Sequence, residues 1–324
     1  MTPSGTDPAR GDAMGGRTLL RRGRRGPTGT PKPPAEVVVF SGGGSLGAAQ
    51  VGAVQALFEA GIVPDAVVGC SVGAINAAYI AIDPSAQRAI ALEKVWRGIT
   101  RDQVFADGRF AVARRLAARA QYLYRPDGLR EIFTRTLSVT DLSETAIPCH
   151  IVTTDLIAGT ATWWTAGNAV DILAASSCLP GLFPPVELDG RLYVDGGVSC
   201  PVPTQRALDL GAIRVWVLNV SRDFHGWADA RMSAVDVLLE SFAISRSHLG
   251  RIAPAADARQ QVISLPRLPV GRHDLRDFSK TPQLIAAGRE AGRAMVMDAL
   301  RPHPPRASEL GDAQPVTPAV PATS

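Results

Sequence analysis

Cysteine is scarce in this 324-residue chain: Cys70, Cys149, Cys178 and Cys200 form no CxxC pair and no metal-ligand rhythm. That spacing excludes a zinc-ribbon or disulfide scaffold and suits a reducing compartment. Long apolar runs are also scarce. One uncharged and largely apolar stretch, Ala66 to Ile82, reaches only the lower limit of a membrane span. It contains two glycines and Asn76, so it reads as a buried strand, a turn and a buried helix rather than a transmembrane segment. A secretory or twin-arginine signal would need an apolar segment of about 7–15 residues after its charges. After Arg21-Arg22 and Arg24-Arg25 comes Gly-Pro-Thr-Gly-Thr-Pro-Lys-Pro-Pro instead. No export signal is expected, and the missing signals favour a cytoplasmic protein, with peripheral membrane contact as the variant.

Excess charge is missing from the body of the chain. Residues 1–34 carry seven Arg and Lys against two Asp, more than the whole net charge of +4, which leaves the remainder near −1. A near-neutral body argues against nucleic acid as a partner. The basic leader has too few large apolar side chains to order itself, and residues 301–324 are rich in Pro, Ala and Thr. The expected organisation is a disordered tail (1–34), one domain (35–300) and a second disordered tail (301–324). The body, within a chain 46% hydrophobic, is large enough for a full core. It contains no internal repeat.

Within the body, strand and helix signals alternate, which predicts an α/β fold with a mostly parallel central sheet and helices on both faces. Strands are expected at Glu36–Phe40, Ala66–Gly69, His150–Thr154, Thr160–Thr165, Ile213–Val220 and Gln261–Leu265. A hairpin of Val186–Leu188 and Arg191–Val194 is expected to turn at Asp189-Gly190. Helices are expected at Leu46–Ala60, Val72–Ile82, Asn168–Ser176, Met232–Gly250 and Pro282–Leu300, and in pieces over 101–137. Asp83-Pro84 is expected to supply the N-cap and first-turn proline of a helix reaching Trp96. Between 110 and 123, Arg114, Arg115 and Arg119 alternate with apolar residues. The pattern fits an ordinary solvated face, or a basic face that approaches anionic lipid.

Three strings carry chemistry. An apolar strand runs into Gly69-Cys70-Ser71-Val72-Gly73 and then into a helix, the form of a nucleophile elbow, in which a strained turn lifts a serine hydroxyl into a cleft. Upstream, Val37–Phe40 leads into Ser41-Gly42-Gly43-Gly44-Ser45-Leu46-Gly47, whose backbone N–H groups could bind an anion at the start of a helix. Downstream, Tyr193-Val194 leads into Asp195-Gly196-Gly197. Each pattern is common alone; together, each after its own strand, they are specific. Glycines in the loop would let a substrate oxygen reach the amides, and glycines after Asp195 would allow a sharp turn. Cys70 reads as small apolar filler beside the serine.

These strings, with Ala175–Pro185 and Val152-Thr153-Thr154-Asp155-Leu156-x-x-Gly159, resemble the patatin-like phospholipase family over about residues 36–210. The resemblance implies a three-layer domain and a Ser-Asp dyad: Ser71 as nucleophile and Asp195 as base. It also implies an oxyanion hole from Gly42, Gly43, Gly44, Ser45 and Gly47, and hydrolysis of lipid acyl esters (phospholipid, lysophospholipid or neutral lipid) through an acyl-enzyme. No metal or organic cofactor is implied. A transient membrane contact is compatible, and oligomeric state is left open. Many members of the family carry Arg or Lys where this chain has Leu46, a departure that favours a neutral or lysolipid ester.

Other readings remain open at this point. Gly42-x-Gly44-x-x-Gly47 also satisfies the dinucleotide-binding fingerprint, though Asp65 stands at the wrong end of the second strand for a ribose contact. A Ser-His-Asp triad would need His225, His248 or His273; His150 reads as structural and His303 falls in the tail. A lipid-binding domain without turnover is the third. Asn76 is expected to pair locally, Asp155 to fix the Ala158-Gly159 turn, and one of Trp163 and Trp164 to face the core while the other faces a cleft or solvent.

Overall fold

A computed structural model describes residues 33–220, 233–251, 254–269 and 273–301. The tails expected at 1–34 and 301–324 fall almost wholly outside these residues, as do His225, Met232 and His303. In chain order the elements are β1 (Glu36–Phe40), α1 (Gly47–Glu59), β2 (Ala66–Cys70), α2 (Val72–Ile82), α3 (Ala86–Gly98), α4 (Arg101–Val104), α5 (Arg109–Ala117) and α6 (Asp127–Thr136). There follow β3 (Cys149–Asp155), β4 (Ala161–Trp164), α7 (Ala169–Ser176), β5 (Val186–Leu188), β6 (Arg191–Asp195), α8 (Thr204–Asp209), β7 (Arg214–Leu218), α9 (Ala234–Leu249), β8 (Gln261–Ser264) and α10 (Thr281–Ala299). The short helix α8 carries no strong periodic signal and was not expected.

The sheet runs β5-β6-β3-β2-β1-β7-β8, with β4 also on β3. Strands β3, β2, β1, β7 and β8 are mutually parallel, while the β5–β6 hairpin and β4 join antiparallel. Side-chain alternation divides the sheet between two cores. Val38, Phe40, Val67, Trp216 and Leu218 enter the larger core beneath α1, α2, α3, α7 and α10. Val37, Val39, Val68, Val215 and Val217 enter the smaller one, closed by Ala207 and Leu208 of α8. Helices therefore cover both faces. Parallel strands buried on both sides read as unbroken Val runs for this reason.

Local chemistry explains most boundaries and corrects several expectations. The β5–β6 turn has Asp189 and Gly190 at φ 50° and 74°, the left-handed pair that a two-residue hairpin requires. Asp155 Oδ1 accepts from the N–H groups of Ile157 and Ala158, and so fixes the expected turn. The N-cap of α3 is Ser85, whose Oγ accepts from Arg88 N, and not Asp83, which instead closes α2. Trp163 and Trp164 both pack, on opposite faces of the sheet: Trp164 joins the large core and Trp163 the small one, under the Arg206 guanidinium. On α5, Arg115 is not part of a free basic face, since it pairs with Asp107 at 2.8 Å and donates to the Leu123 carbonyl. Phe110 on the same helix is 94% exposed.

Two devices hold the end of β1 in place. Trp96 Nε1 donates to Asn76 Oδ1, Asn76 Nδ2 donates to Gln50 Oε1 and the Gly47 carbonyl, and Gln50 Nε2 donates to the Ser41 and Leu218 carbonyls. Asn76 thus joins α1, α2 and α3 rather than pairing locally. Second, α1 and α10 meet through small residues. A Cβ on Gly52 would overlap the Ile285 carbonyl oxygen, and one on Gly288 would overlap that of Ala49 and lie 2.6 Å from its carbonyl carbon. The helix after the glycine loop is clamped between these two contacts.

His150 is buried beside Arg206, with Nδ1 3.3 Å from Nη2. Burial first, and the Arg206 charge second, pull its pKa down to about 4. Unfolded histidine titrates near 6.5, so between those values the unfolded chain binds a proton that the folded one refuses. Stability should fall as pH drops through this window. Urea unfolding at about pH 7 and about pH 5 is expected to show a smaller loss for His150→Gln than for wild type. Gly288→Ala should lower stability by about 1–3 kcal/mol through overpacking, measurable as a fall in Tm.

Candidate active site

Strand β3 brings the serine and the aspartate together. Its Ile151–Thr154 face one edge to β4, so β2 and β6 must share the other edge in succession. β2 ends with Cys70 opposite Val152, and β6 ends with Asp195 opposite Thr153, the adjacent rung. Ser71 follows Cys70 directly, with φ 55° and ψ −128°, a conformation that costs a non-glycine residue of order 1–3 kcal/mol. The strain is held by close packing. A Cβ on Gly69 would lie 2.6 Å from Ala74 Cα, and one on Gly73 would overlap the Phe40 and Ser41 carbonyls. These two elbow glycines are set by clearance, not by φ.

Ser71 Oγ donates to Asp195 Oδ2 at 2.6 Å. The Ser71 N–H donates to Ser176 Oγ, which in turn donates to the Val152 carbonyl. Asp195 Oδ1 accepts from Gly197 N at 2.7 Å, and the Asp195 carbonyl accepts from Thr154 Oγ1. The serine is 6% exposed and the aspartate 0%. Burial raises the Asp195 pKa above the ordinary carboxylate range; the Arg246 charge and the hydrogen bonds from Ser71 and Gly197 oppose the rise. Burial likewise pushes the Cys70 thiol far up, which makes it filler rather than nucleophile.

The glycine loop is only partly free to bind an anion. Gly42 N donates to the Pro201 carbonyl and Ser45 N to that of Leu275, while Gly47 N caps the 3-10 turn Gly44–Leu46. Those three amides are therefore removed from the expected oxyanion hole. Gly43 and Gly44 retain N–H groups with no acceptor among the described residues. Gly44 alone in the loop has a left-handed backbone, φ 57°, and a Cβ there would lie 2.7 Å from the Leu275 carbonyl oxygen. Leu46 is buried in the large core, so the loop itself presents no cation.

Among the described residues no histidine is hydrogen-bonded to Ser71. His273 Nε2 lies 2.9 Å from Ser45 Oγ, His248 is exposed on α9, and His150 sits with Arg206. Asp65 Oδ2 accepts from Ala35 N and Glu36 N at the amino end of the sheet, away from the loop, which removes the ribose contact of a dinucleotide site. A cavity of about 90 Å³ begins at Gly44 and Ser71. Val95, Ile99, Ile132, Phe133 and Phe278 line it, with Arg276 among the few polar contacts. Among the described residues no cluster of His, Cys, Asp or Glu could hold a metal. No described helix is long and apolar enough to cross a membrane.

Two features escaped the sequence. Arg246 of α9 reaches the site from 175 positions beyond Ser71, with no motif around it. The loop at 273–278 covers Gly44 through Leu275. Neither has a local signal, because both depend on how α9 and the last loop pack.

The family model for Patatin-like phospholipase matches residues 38–208. An uncharacterized NTE family protein of Mycobacterium tuberculosis is 32% identical over 173 residues, 52% of this chain and 44% of that protein. Patatin-like phospholipase domain-containing protein 7 of Mus musculus is 29% identical over 195 residues, 58% of this chain and 14% of that protein. Lysophospholipase nte1 of Neurospora crassa is 29% identical over 183 residues, 56% of this chain and 12% of that protein. The chain thus spans less than half the length of these curated relatives. With the family model matching more than half of it, the chain belongs to the patatin-like phospholipase family.

Proposed function

We propose that this chain hydrolyses fatty-acyl esters of lipids through an acyl-enzyme on Ser71, with Asp195 as the general base. One observation carries the reading: a 2.6 Å hydrogen bond from a serine on a strained elbow to a fully buried carboxylate, at the mouth of an apolar cavity. A serine hydroxyl is a weak nucleophile until a base takes its proton, and the raised Asp195 pKa makes the carboxylate a better base than ordinary aspartate. Ser71 Oγ attacks the ester carbonyl and its proton passes to Asp195 Oδ2. The oxyanion accepts from the amides of Gly43 and Gly44, aided by the helix dipole behind them. Collapse releases the alcohol, which takes the proton from Asp195. Water then attacks the acyl-enzyme, giving a proton to Asp195, and the fatty acid leaves as Ser71 regains its hydrogen.

The lipid class of the substrate is supported by the cavity, whose walls suit an acyl chain, and by relatives named for phospholipase and lysophospholipase activity.

A fluorophosphonate probe with intact-mass readout tests the nucleophile. Wild type is expected to take one adduct and Ser71→Ala none; turnover of a lipid ester should fall on the order of 10⁴-fold or more in Ser71→Ala. Asp195→Asn should slow labelling nearly as far while staying folded, and full activity in that variant would sink the dyad. Because a protonated Asp195 cannot accept the serine proton, the labelling rate should fall on acidification with a midpoint above the ordinary aspartate value of about 3.9. Labelling without turnover on any lipid ester would favour the lipid-binding alternative. Val95→Trp should cut hydrolysis of long-chain esters more than of short ones; an equal effect on both would move the acyl chain out of the cavity.

A further inference from the structure

Arg246 lays its guanidinium over the ring of Phe242, with Cζ 5.6 Å from the ring centroid, and points inward between two glycines. A Cβ on Gly42 would overlap its Nη2 and lie 3.1 Å from Cζ; a Cβ on Gly197 would lie 2.9 Å from its Nε. Neither glycine has a left-handed backbone, so neither is required by φ. What these positions lack is room, and Arg246 occupies it. Gly42 belongs to the oxyanion loop and Gly197 to the aspartate turn, so one side chain touches both halves of the site. Among the described residues its buried Nε has no hydrogen-bond acceptor, and no ion pair joins it to Asp195. A cation placed in this way is poorly explained by packing alone, since burying an unpaired polar group is unfavourable.

We propose that Arg246 is a positioning residue that acts through Asp195, keeping its carboxylate charged while standing outside ion-pair distance. The proposal rests on the dyad reading above. Asp195 has two hydrogen-bond donors, and one of them, the Ser71 hydroxyl, carries the proton that it must take. The other titratable groups around it are the thiols of Cys70 on β2, Cys178 after α7 and Cys200 beyond the turn. Burial keeps all three neutral, pushing Cys178 up to about 12 and Cys200 up to about 11. β3 contributes only Thr153 and Thr154 here. Among the described residues, Arg246 is the cation that offsets the burial of Asp195.

The separation matters. A direct Arg–Asp pair would stabilise the carboxylate so strongly that it made a poor base. A cation somewhat further off, in surroundings of low dielectric, keeps the group ionised yet still willing to accept a proton. Gly42 and Gly197 set that separation by leaving the guanidinium a slot outside the serine–aspartate contact.

The test is the rate of Ser71 labelling by a fluorophosphonate as a function of pH, on the full chain, for wild type, R246K and R246Q. R246Q is expected to move the acid limb upward by about one pH unit or more, because Asp195 then loses the charge that favours its ionised form. R246K should keep the limb near its wild-type position, and rates should converge at high pH, where Asp195 is ionised in every variant. A uniform slowing at all pH values with the limb unmoved in R246Q, or an equal displacement in R246K, overturns the proposal. If circular dichroism shows that R246Q does not fold, F242L carries the same test: it frees the guanidinium from its aromatic support, the limb should move part of the way upward, and an unmoved limb overturns the idea. Wild type that takes no label at any pH would instead overturn the serine-hydrolase reading on which this one rests.

Discussion

Between Val152 and Thr153, two strands meet end to end on one edge of β3: β2 arrives parallel and stops at Cys70, and β6 arrives antiparallel and stops at Asp195. Hydrogen-bond registers cannot shift by one residue without turning every side chain to the opposite face of the sheet, and both faces here are buried. The distance between Ser71 and Asp195 is therefore set by ladder geometry, not by the flexibility of two loops. This explains how a contact spanning 124 residues of sequence can be only 2.6 Å long. It also explains why Gly196 has no side chain, since a Cβ there would overlap the Val152 carbonyl at the junction.

The glycine loop depends on a different kind of support. It leaves β1 at the carboxyl end of the sheet and is held by buried polar contacts: Gln50 on the Ser41 and Leu218 carbonyls, Ser41 Oγ accepting from Val220 N, and Ser45 N on Leu275. The clamp of α1 against α10 stops the loop from backing away. Of five candidate donors, this fixing leaves the adjacent amides of Gly43 and Gly44 without an acceptor among the described residues. A preorganised donor pair is worth more than a longer flexible run of amides, because nothing has to reorganise as charge develops.

Charge in this site is arranged by burial. Asp195 has no exposed surface, its neighbouring thiols are neutral, and the guanidinium beside it stands on a helix remote in sequence. The apolar cavity that begins at Ser71 extends the same low-dielectric surroundings outward from the serine hydroxyl.

The strands, most helices and all three functional strings were legible in the sequence because each has a local cause. Val runs mark strands buried on both faces, Asp189-Gly190 marks a two-residue turn, and small residues around Ser71 mark a strained elbow. Even the order of glycine loop, serine and aspartate could be read. The bonded amides of Gly42 and Ser45 could not be told from the rest of the loop, because their acceptors, Pro201 and Leu275, lie 159 and 230 residues away. Asn76 looked local for the same reason, although its partners are on α1 and α3. Gly42 read as clearance for a substrate oxygen and Gly197 as a conformational need of the turn, but neither has a left-handed backbone and a side chain at either would meet Arg246. By itself the sequence determined the chemistry available, since backbone preference and side-chain type are local properties. Only the tertiary structure decided which donors stay free and which cation faces the carboxylate, because both depend on what packs across the sheet.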